Sequence, residues 1–498
     1  MNEYGKSDSP VVPAKPLNKA VVRAAGAEVV EERGLAKGNT TSTTRPGLGA
    51  GQGVSSGLDR VREVARRDKD ARFTALLHHV NVDRLRAAYW AIRPQAAPGV
   101  DGVTWAEYGQ DLEVNLKDLH HRLHSGAYRA SPSRRVFIPK ADGRQRPLGI
   151  ATLEDKVAQR AVVEVLNAVY EQDFLGFSYG FRPGRGPHDA LDALAVGIDR
   201  KRVNWVLDAD IRDFFTSLDH DWLGKFLEHR IADKRVLRLI RKWINAGVVQ
   251  DGVWTASEVG APQGASASPL LANVYLHYVL DLWVQWWRSQ HAHGDMIIVR
   301  FADDFVAGFE HQDDAQQFLA DLRERLAKFS LELHPDKTRL IEFGRKAART
   351  RAARGQGKPD TFDFLGFTHI SATTKKGNFW LKRITISKRM RAKLAEVKLQ
   401  LQRRAELPIP EQGRWLGAVV GGHVAYYGVP GNTDAMRAFR DQVNRLWLQA
   451  LRRRSQRHRL TWVRMRRLVT RWIPPARVKH PFPNVRFDAR TRGRSPVR

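Results

Sequence analysis

Two adjacent aspartates inside an apolar, β-forming run constrain this chain more than any other feature. The run is Val299-Arg300-Phe301-Ala302-Asp303-Asp304-Phe305-Val306. Apolar residues on both sides of a short polar break read as a tight hairpin, with the two carboxylates at its tip. Carboxylates crowded together repel each other and call for a cation. Clustered carboxylates holding two divalent ions are a means of catalysing phosphoryl transfer. Taken alone, the tetrapeptide is equally well read as a polar turn, since Asp is a common turn residue.

A second stretch supplies the context. Residues Trp205 to Phe215 read Trp-Val-Leu-Asp-Ala-Asp-Ile-Arg-Asp-Phe-Phe, with Asp208 and Asp210 alternating with apolar neighbours. That alternation is strand period, and it puts Asp210 at the end of a strand whose other face is buried. Asp208 and Asp213 read as a helix N-cap or a solvated strand end. Asp210, Asp303 and Asp304 together offer three oxygen donors, the ligand type that Mg²⁺ prefers.

Further motifs follow in a fixed order. They are Arg134 to Lys140 with Arg146-Pro147-Leu148-Gly149-Ile150; Tyr179-Gly180-Phe181-Arg182-Pro183-Gly184-Arg185; Ala209 to Phe215; Ala261-Pro262-Gln263-Gly264 with Ser268 to Asn273; Phe301-Ala302-Asp303-Asp304; Leu333 to Thr338; and Phe362 to Phe367. In this order, from about Phe73 to about Pro483, the chain resembles the reverse transcriptases encoded by group II introns. The resemblance implies an α+β right-hand polymerase fold, fingers and palm, followed by an all-α thumb and maturase domain.

It also implies roles. Asp210, Asp303 and Asp304 would be catalytic and would hold two Mg²⁺ ions, with Ile211 beside Asp210 in the metal site. Lys140 and Arg146 lie on a hairpin turned at Ala141 to Arg144. Both would hold the triphosphate of an incoming nucleotide, Lys140 by point charge and Arg146 by a bidentate fork; a basic hairpin facing RNA is the plainer reading. Phe215, five residues past Asp210, would act as a steric gate against a ribose 2′-OH. Phe214 and Phe215 cannot both face a nucleotide, so one must pack into the core. Gln263, in a Pro-Gly turn, would contact the nucleotide or only stabilise its loop. Arg182, Arg185 and Lys337 are assigned to RNA. The family mostly carries Tyr where this chain has Phe301, which removes a hydroxyl but no metal ligand.

The formal net charge is +30. Such an excess points to a polyanion, and nucleic acid is the natural one. No apolar run approaches the roughly 18 residues of a membrane span, and no signal-peptide stretch follows Met1, so no membrane partner is expected. There are no cysteines, which excludes disulfides and Cys-x-x-Cys zinc sites. Only a short tail follows Pro475, so the HNH nuclease that many of these intron proteins carry is expected to be absent.

The organisation reads as follows. Residues 1–57 are rich in Gly, Ser, Thr and Pro and are expected to be disordered. Residues 58–130 form the N-terminal extension and the start of the fingers, including the turn-rich loop Ala97 to Gly102. Residues 131–375 are fingers and palm, 376–410 the start of the thumb, 411–483 thumb and maturase domain, and 484–498 a basic tail. Helices are expected over Lys156 to Tyr170, Asp189 to Ile198, most of Leu218 to Ala246, Ser268 to Trp287 and Asp313 to Phe329. In the basic C-terminal part they are expected over Ser387 to Arg404, Gln412 to Tyr427 and Asn432 to Arg454. Arg452, Arg453 and Arg454, with Arg457, His458 and Arg459, form a positive cluster near Trp447, Trp462 and Trp472 that suits RNA backbone contact. Gly421 to Gly428 most resembles the maturase domain.

The reading is thus an RNA-directed DNA polymerase that binds its parent intron RNA and assists splicing and mobility. Its partners would be intron RNA, template RNA, primer or target DNA and deoxynucleoside triphosphates, in a bacterial cytoplasm and on the nucleoid, as a monomer or dimer. The rivals are a standalone reverse transcriptase of defence or diversity-generating type, and an RNA chaperone with an inactive polymerase.

Overall fold

In a computed structural model, residues 52–139, 145–256, 259–260, 263–454 and 460–491 are described. They form a mixed α and β structure with three sheets. The strands are β1 (Ser133–Pro139), β2 (Gln145–Ile150), β3 (Trp205–Asp210), β4 (Val248–Gln250), β5 (Val253–Thr255), β6 (Met296–Phe301), β7 (Asp304–Phe309), β8 (Arg339–Glu342), β9 (Phe362–Phe364), β10 (Phe367–Thr373) and β11 (Phe379–Thr385).

The sheet that matters most has the order β6-β7-β3-β8, with all pairs antiparallel. Its strands are apolar on both faces, and the alternation divides them between two cores. Leu207, Ile298, Phe305 and Ala307 face one apolar cluster, which also holds Leu58, Val157, Tyr275 and Phe318. Val206, Ile297, Val299 and Val306 face another, with Leu191, Val420, Phe439 and Trp447. A strand period of two, with helices on both sides, explains why β6 reads as a hydrophobic run broken only by Arg300. Each such side chain contributes about 1.5–3 kcal/mol by leaving water. The sheet is therefore a stiff central layer, and whatever sits at its strand ends is held firmly.

Among the helices, Leu153–Asp173 is capped by the Thr152 side chain, which accepts from the Asp155 amide. The expected long apolar helix from Ser268 is continuous but not uniform. Ser268–Leu276 and Leu282–Gln290 are α-helical, and His277–Asp281 between them is a π-helical turn. Trp283 and Trp287 on it are buried, as expected. The stretch from Leu218 to Ala246 is two helices, His220–Arg230 and Lys234–Ile244, the second capped by Asp233. The C-terminal part is helical over Ser387–Arg403, Ile409–Tyr427, Thr433–Arg452, Trp462–Trp472 and Pro483–Thr491.

Two expected boundaries fall within single structural elements. A helix spans Gln52–Arg67, so the N-terminal segment expected to be disordered to residue 57 gives way to helix earlier. Its residues 1–51 lie outside the described residues. The break expected between residues 375 and 376 falls inside the β10–β11 hairpin, where Thr373 pairs with Phe379. The change to all-helical structure comes only at Ser387. Basic composition began before the backbone changed, because β11 carries Lys382 and Arg383 as cross-strand partners of Ile370 and His369. Among the described residues no helix is long and apolar enough to cross a membrane.

Candidate active site

The aspartate pair sits on a hairpin, as its flanks require. Phe301 pairs with Asp304, leaving Ala302 and Asp303 as a two-residue turn. Ala302 has φ 59°, a left-handed backbone that an L-residue adopts only under constraint. On the other side of β7, Asp304 pairs with Asp210 at the end of β3. Register thus brings together two carboxylates nearly a hundred residues apart. Asp210, Asp303 and Asp304 each offer an oxygen, all within 4.8 Å of one another, and all three side chains are half-buried. Three hard anionic donors this close suit a divalent cation. Ile211 is buried beside them and bridges to Leu333.

What holds the strained turn is a buried network that sequence reading missed. Arg300 is wholly buried. Its Nε donates to Asp281 Oδ1 at 2.7 Å and its Nη2 to Asp281 Oδ2 at 2.5 Å. Its Nη1 donates to Asn273 Oδ1 and to the Ala302 carbonyl, both at 3.0 Å. The Asn273 amide donates in turn to the Gly180 carbonyl at 2.8 Å. Removing one partner of such a pair costs about 3–5 kcal/mol, because the other charge is stranded in the core. The signal was present in the sequence. Asp281 stands alone in an apolar helix and Arg300 in an apolar strand, and a buried charge needs a partner.

The Gly-Phe-Arg-Pro block packs directly behind the turn. The Tyr179 amide donates to the Arg300 carbonyl, and the Arg300 amide to the Phe177 carbonyl, both at 2.9 Å. A Cβ on Gly180 would lie 2.1 Å from the Ala302 nitrogen, so only glycine fits. Arg182 and Arg185, both expected on RNA, fold back onto this block. Arg182 is buried, paired with Glu171 at 3.0 Å and bonded to the Leu175 and Ser178 carbonyls. Arg185 donates to the Gly176 and Ser178 carbonyls at 2.6 and 3.0 Å and lies over the Tyr179 ring. Both guanidiniums fold the block that supports the turn.

Around the carboxylates opens a cavity of about 890 Å³. Arg146, Phe215 and Gln263 line it together with the three aspartates. Phe214 is buried in the core, while Phe215 is half-buried at the cavity, edge-on to Phe181. The Gln263 carbonyl accepts from the Gly149 amide at 2.7 Å, which ties its loop to β2. Lys140, Ala261 and Pro262 lie outside the described residues. Lys337, expected on RNA, pairs with Asp210 Oδ2 in the cavity. The His334 amide donates to the Asp210 carbonyl at 2.8 Å, which fixes this loop on β3.

Asp208 is neither an N-cap nor a solvated strand end. It is mid-strand, lines the cavity and pairs with Arg339 at 3.3 Å. Burial pushes its pKa up to about 6, against the opposing pull of Arg339.

The C-terminal basic cluster is apart from the cavity lining. Arg452, Arg453 and Arg454 are exposed at the end of their helix. Arg452 donates to the Leu460 carbonyl at 2.9 Å and Arg454 to that of Leu407. Arg457, His458 and Arg459 lie outside the described residues. His423 is no surface group: it is buried and stacked on Phe439 at 3.7 Å.

Comparison with known proteins agrees with this geometry. Residues 138–369 match the family model described as reverse transcriptase (RNA-dependent DNA polymerase). The chain is 34% identical over 304 residues to Protein YkfC of Escherichia coli K12, covering 52% of this chain and 78% of that protein. It is 32% identical over 231 residues to the group II intron-encoded protein LtrA of Lactococcus lactis subsp. cremoris, covering 45% of this chain and 38% of that one. A third relative is an uncharacterized 91 kDa protein in the cob intron of Schizosaccharomyces pombe, 40% identical over 182 residues, 36% of this chain and 22% of that one. The matches thus span most of the Escherichia coli relative but well under half of the two intron proteins. The chain belongs to the reverse transcriptases and maturases of group II introns, a family of RNA-directed DNA polymerases.

Proposed function

We propose that this protein copies RNA into DNA by nucleotidyl transfer to a primer 3′-OH, and that it binds its parent intron RNA to assist splicing and mobility. The observation that carries the polymerase reading is the set of three carboxylates within 4.8 Å at the floor of a cavity rimmed by cations. In this reading β1, β2, β4 and β5 belong to the fingers and the β6-β7-β3-β8 sheet is the palm. The helices from Ser387 onward are the thumb and maturase domain.

Asp210, Asp303 and Asp304 would hold two Mg²⁺ ions, with Ile211 offering only backbone. When bound, Mg²⁺ lowers the pKa of an attacking hydroxyl and stabilises the leaving pyrophosphate. The protein's own part is orientation. Arg146 and Lys140 take the triphosphate of a deoxynucleotide as fork and point charge. Gln263 contacts the nucleotide, and Phe215 excludes a 2′-OH at the sugar. Lys337 pairs with Asp210, so one ammonium offsets part of the charge of the three carboxylates. Template RNA and primer or target DNA fill the remaining open side. Arg452, Arg453 and Arg454 contact intron RNA phosphates, each contact releasing counterions.

Primer extension by purified protein on an annealed RNA template tests the first part. Asp303→Ala and Asp304→Ala should each abolish extension while intron RNA binding persists. Near-normal extension by both variants would remove the metal assignment. Splicing of the intron RNA, with and without protein, tests the second part.

A further inference from the structure

After Trp472 the chain crosses back over its own helices to the central sheet's side of the molecule. The Lys479 and His480 amides donate to the Gly428 carbonyl at 2.7 and 3.0 Å, just past the helix Ile409–Tyr427. The helix Pro483–Thr491 then lies against the helix Pro187–Arg200, and Phe487 is buried in the apolar cluster they share.

Three ion pairs join these two helices. Arg486 Nε meets Asp192 Oδ2 at 2.5 Å, Arg200 Nη2 meets Asp488 Oδ2 at 2.6 Å, and Arg490 meets Asp189. The Arg486 pair is the inner one. Asp192 is buried and already takes Arg383 of β11 at 3.1 Å. Arg383 alone compensates that carboxylate, so Arg486 adds a link and not a neutralisation. Its Nη1 donates to His480 Nδ1 at 2.7 Å. His480 must therefore be neutral and carry its proton on Nε2, which donates to the Ala425 carbonyl at 2.7 Å. The His480 ring also stacks on His188 of the helix Pro187–Arg200 at 3.8 Å. Arg486 and His480 thus bind three elements at one point: Pro187–Arg200, Ile409–Tyr427 and Pro483–Thr491.

This junction bears on the active-site cavity. Arg389, on the helix Ser387–Arg403, lines the cavity together with the carboxylates of β3 and β7. The helix Ser387–Arg403 packs on Thr433–Arg452, which packs on Ile409–Tyr427. The far side of the cavity is therefore carried by the helices that the returning segment ties down.

We propose that residues 478–491 are a strap, latched by Arg486, that fixes the thumb and maturase helices on the palm and so keeps the primer–template from leaving between successive additions. This rests on the polymerase reading above. The strap acts on the distance between two packed bodies, as in hinge closure, and not on the reacting atoms. Its effect falls on how long a duplex is held and not on the chemistry of one addition.

The test is extension of a DNA primer on a long RNA template by the full chain, with excess unlabelled primer–template as a trap. Each product then records one binding event. The rate of the first addition and the mean number of nucleotides added before release are both read. Arg486→Met keeps an apolar stem and leaves Asp192 paired with Arg383, so no charge is stranded. The first addition should stay within twofold of wild type. The mean number added should fall about tenfold, the factor for one lost charge-assisted hydrogen bond. A variant that is only partly folded would lower the amount of active enzyme and leave the product length per binding event unchanged. A product length within twofold of wild type, or equal losses in both readouts, would overturn the proposal. Should Arg486→Met not fold, the exposed pair serves. Asp488→Arg sets like charges against Arg200 and should shorten the products, and adding Arg200→Asp should restore them; wild-type lengths in the single variant, or no restoration in the double, overturn the strap equally. A wild-type chain that extends no primer refutes the polymerase reading itself. One that extends primers but releases them after one or two additions refutes only the strap.

Discussion

Replacing Gly180 by alanine should stop polymerisation without unfolding the protein, and the size of the effect follows from distances. The added methyl would sit 2.1 Å from the Ala302 nitrogen, 2.8 Å from the Phe301 carbonyl carbon and 2.9 Å from the Ala302 Cα. Ordinary contact between such atoms is about 3.5–4.0 Å. All three neighbours are backbone, so no side chain can swing away. The Ala302-Asp303 turn must retreat by more than ~1 Å, and misplacement by that much costs about a hundredfold in rate. Overpacking of a core by one methyl costs about 1–3 kcal/mol, which a chain of this size tolerates. Gly184→Ala is the control. Gly184 is in the same block at φ 70°, but nothing lies within 4 Å of its would-be Cβ. That variant suffers only the left-handed backbone cost of about 1–2 kcal/mol. Single-turnover extension, melting temperature and intron RNA affinity would be measured for both. Gly180→Ala should lose about a hundredfold or more in rate, and Gly184→Ala less than threefold. Extension by Gly180→Ala within threefold of wild type, or equal losses in the two variants, would refute the claim that backbone contact at this glycine sets the carboxylates.

Arg182→Ala should destabilise the fold by about 3–5 kcal/mol, since it strands Glu171 in a largely buried pair, yet leave the salt dependence of RNA binding unchanged; a shallower salt slope with an unaltered melting temperature would return Arg182 to the RNA surface. Burial holds His277, His369 and His423 each at a pKa of about 3, against about 6.5 in an unfolded chain. The unfolded chain therefore takes up protons that the fold refuses, so stability is full above pH 6.5 and falls by about 2 kcal/mol per ring by pH 5; a melting temperature flat from pH 7 to pH 5 would contradict this. Neutralising Arg452, Arg453 and Arg454 together should shallow the log–log salt dependence of intron RNA binding by about one unit per lost phosphate contact and weaken splicing more than extension of a simple primer. Equal losses in both assays would instead make them clamp residues for the template–primer duplex.

The clustered carboxylates were legible in the sequence because their chemistry and their local pattern coincide. Asp303-Asp304 between apolar β-formers reads as a hairpin tip, and Asp210 at strand period reads as a strand end, and the two readings support each other. Phe215 was named by resemblance, with one of Phe214 and Phe215 required in the core, and the structure buries Phe214. The basic residues were far less legible. Arg146 lines the cavity, but Arg182 and Arg185 turn their charge into the fold of their own block and Lys337 turns its charge to Asp210. A guanidinium beside a Gly-Pro turn satisfies loop carbonyls as readily as it meets phosphate, and only the third dimension distinguishes them.

Charge patterning fails there because it reports that a cation is present, not what compensates it. A surface arginine and one holding a loop look alike in a chain of net charge +30. The exceptions are charges set in an apolar context. Arg300 lies between Val299 and Phe301 in a buried strand, and Asp281 lies between Leu280 and Leu282 in a buried helix. Neither can face water, and an isolated buried charge is prohibitive, so the two must find each other or another partner. Their pairing also gives the π-helical turn His277–Asp281 a reason: it is the irregular turn from which Asp281 meets Arg300. The residues that fix the Ala302-Asp303 turn are thus those whose charge contradicts their neighbourhood, and they are recoverable from sequence once that contradiction is treated as a demand for a partner.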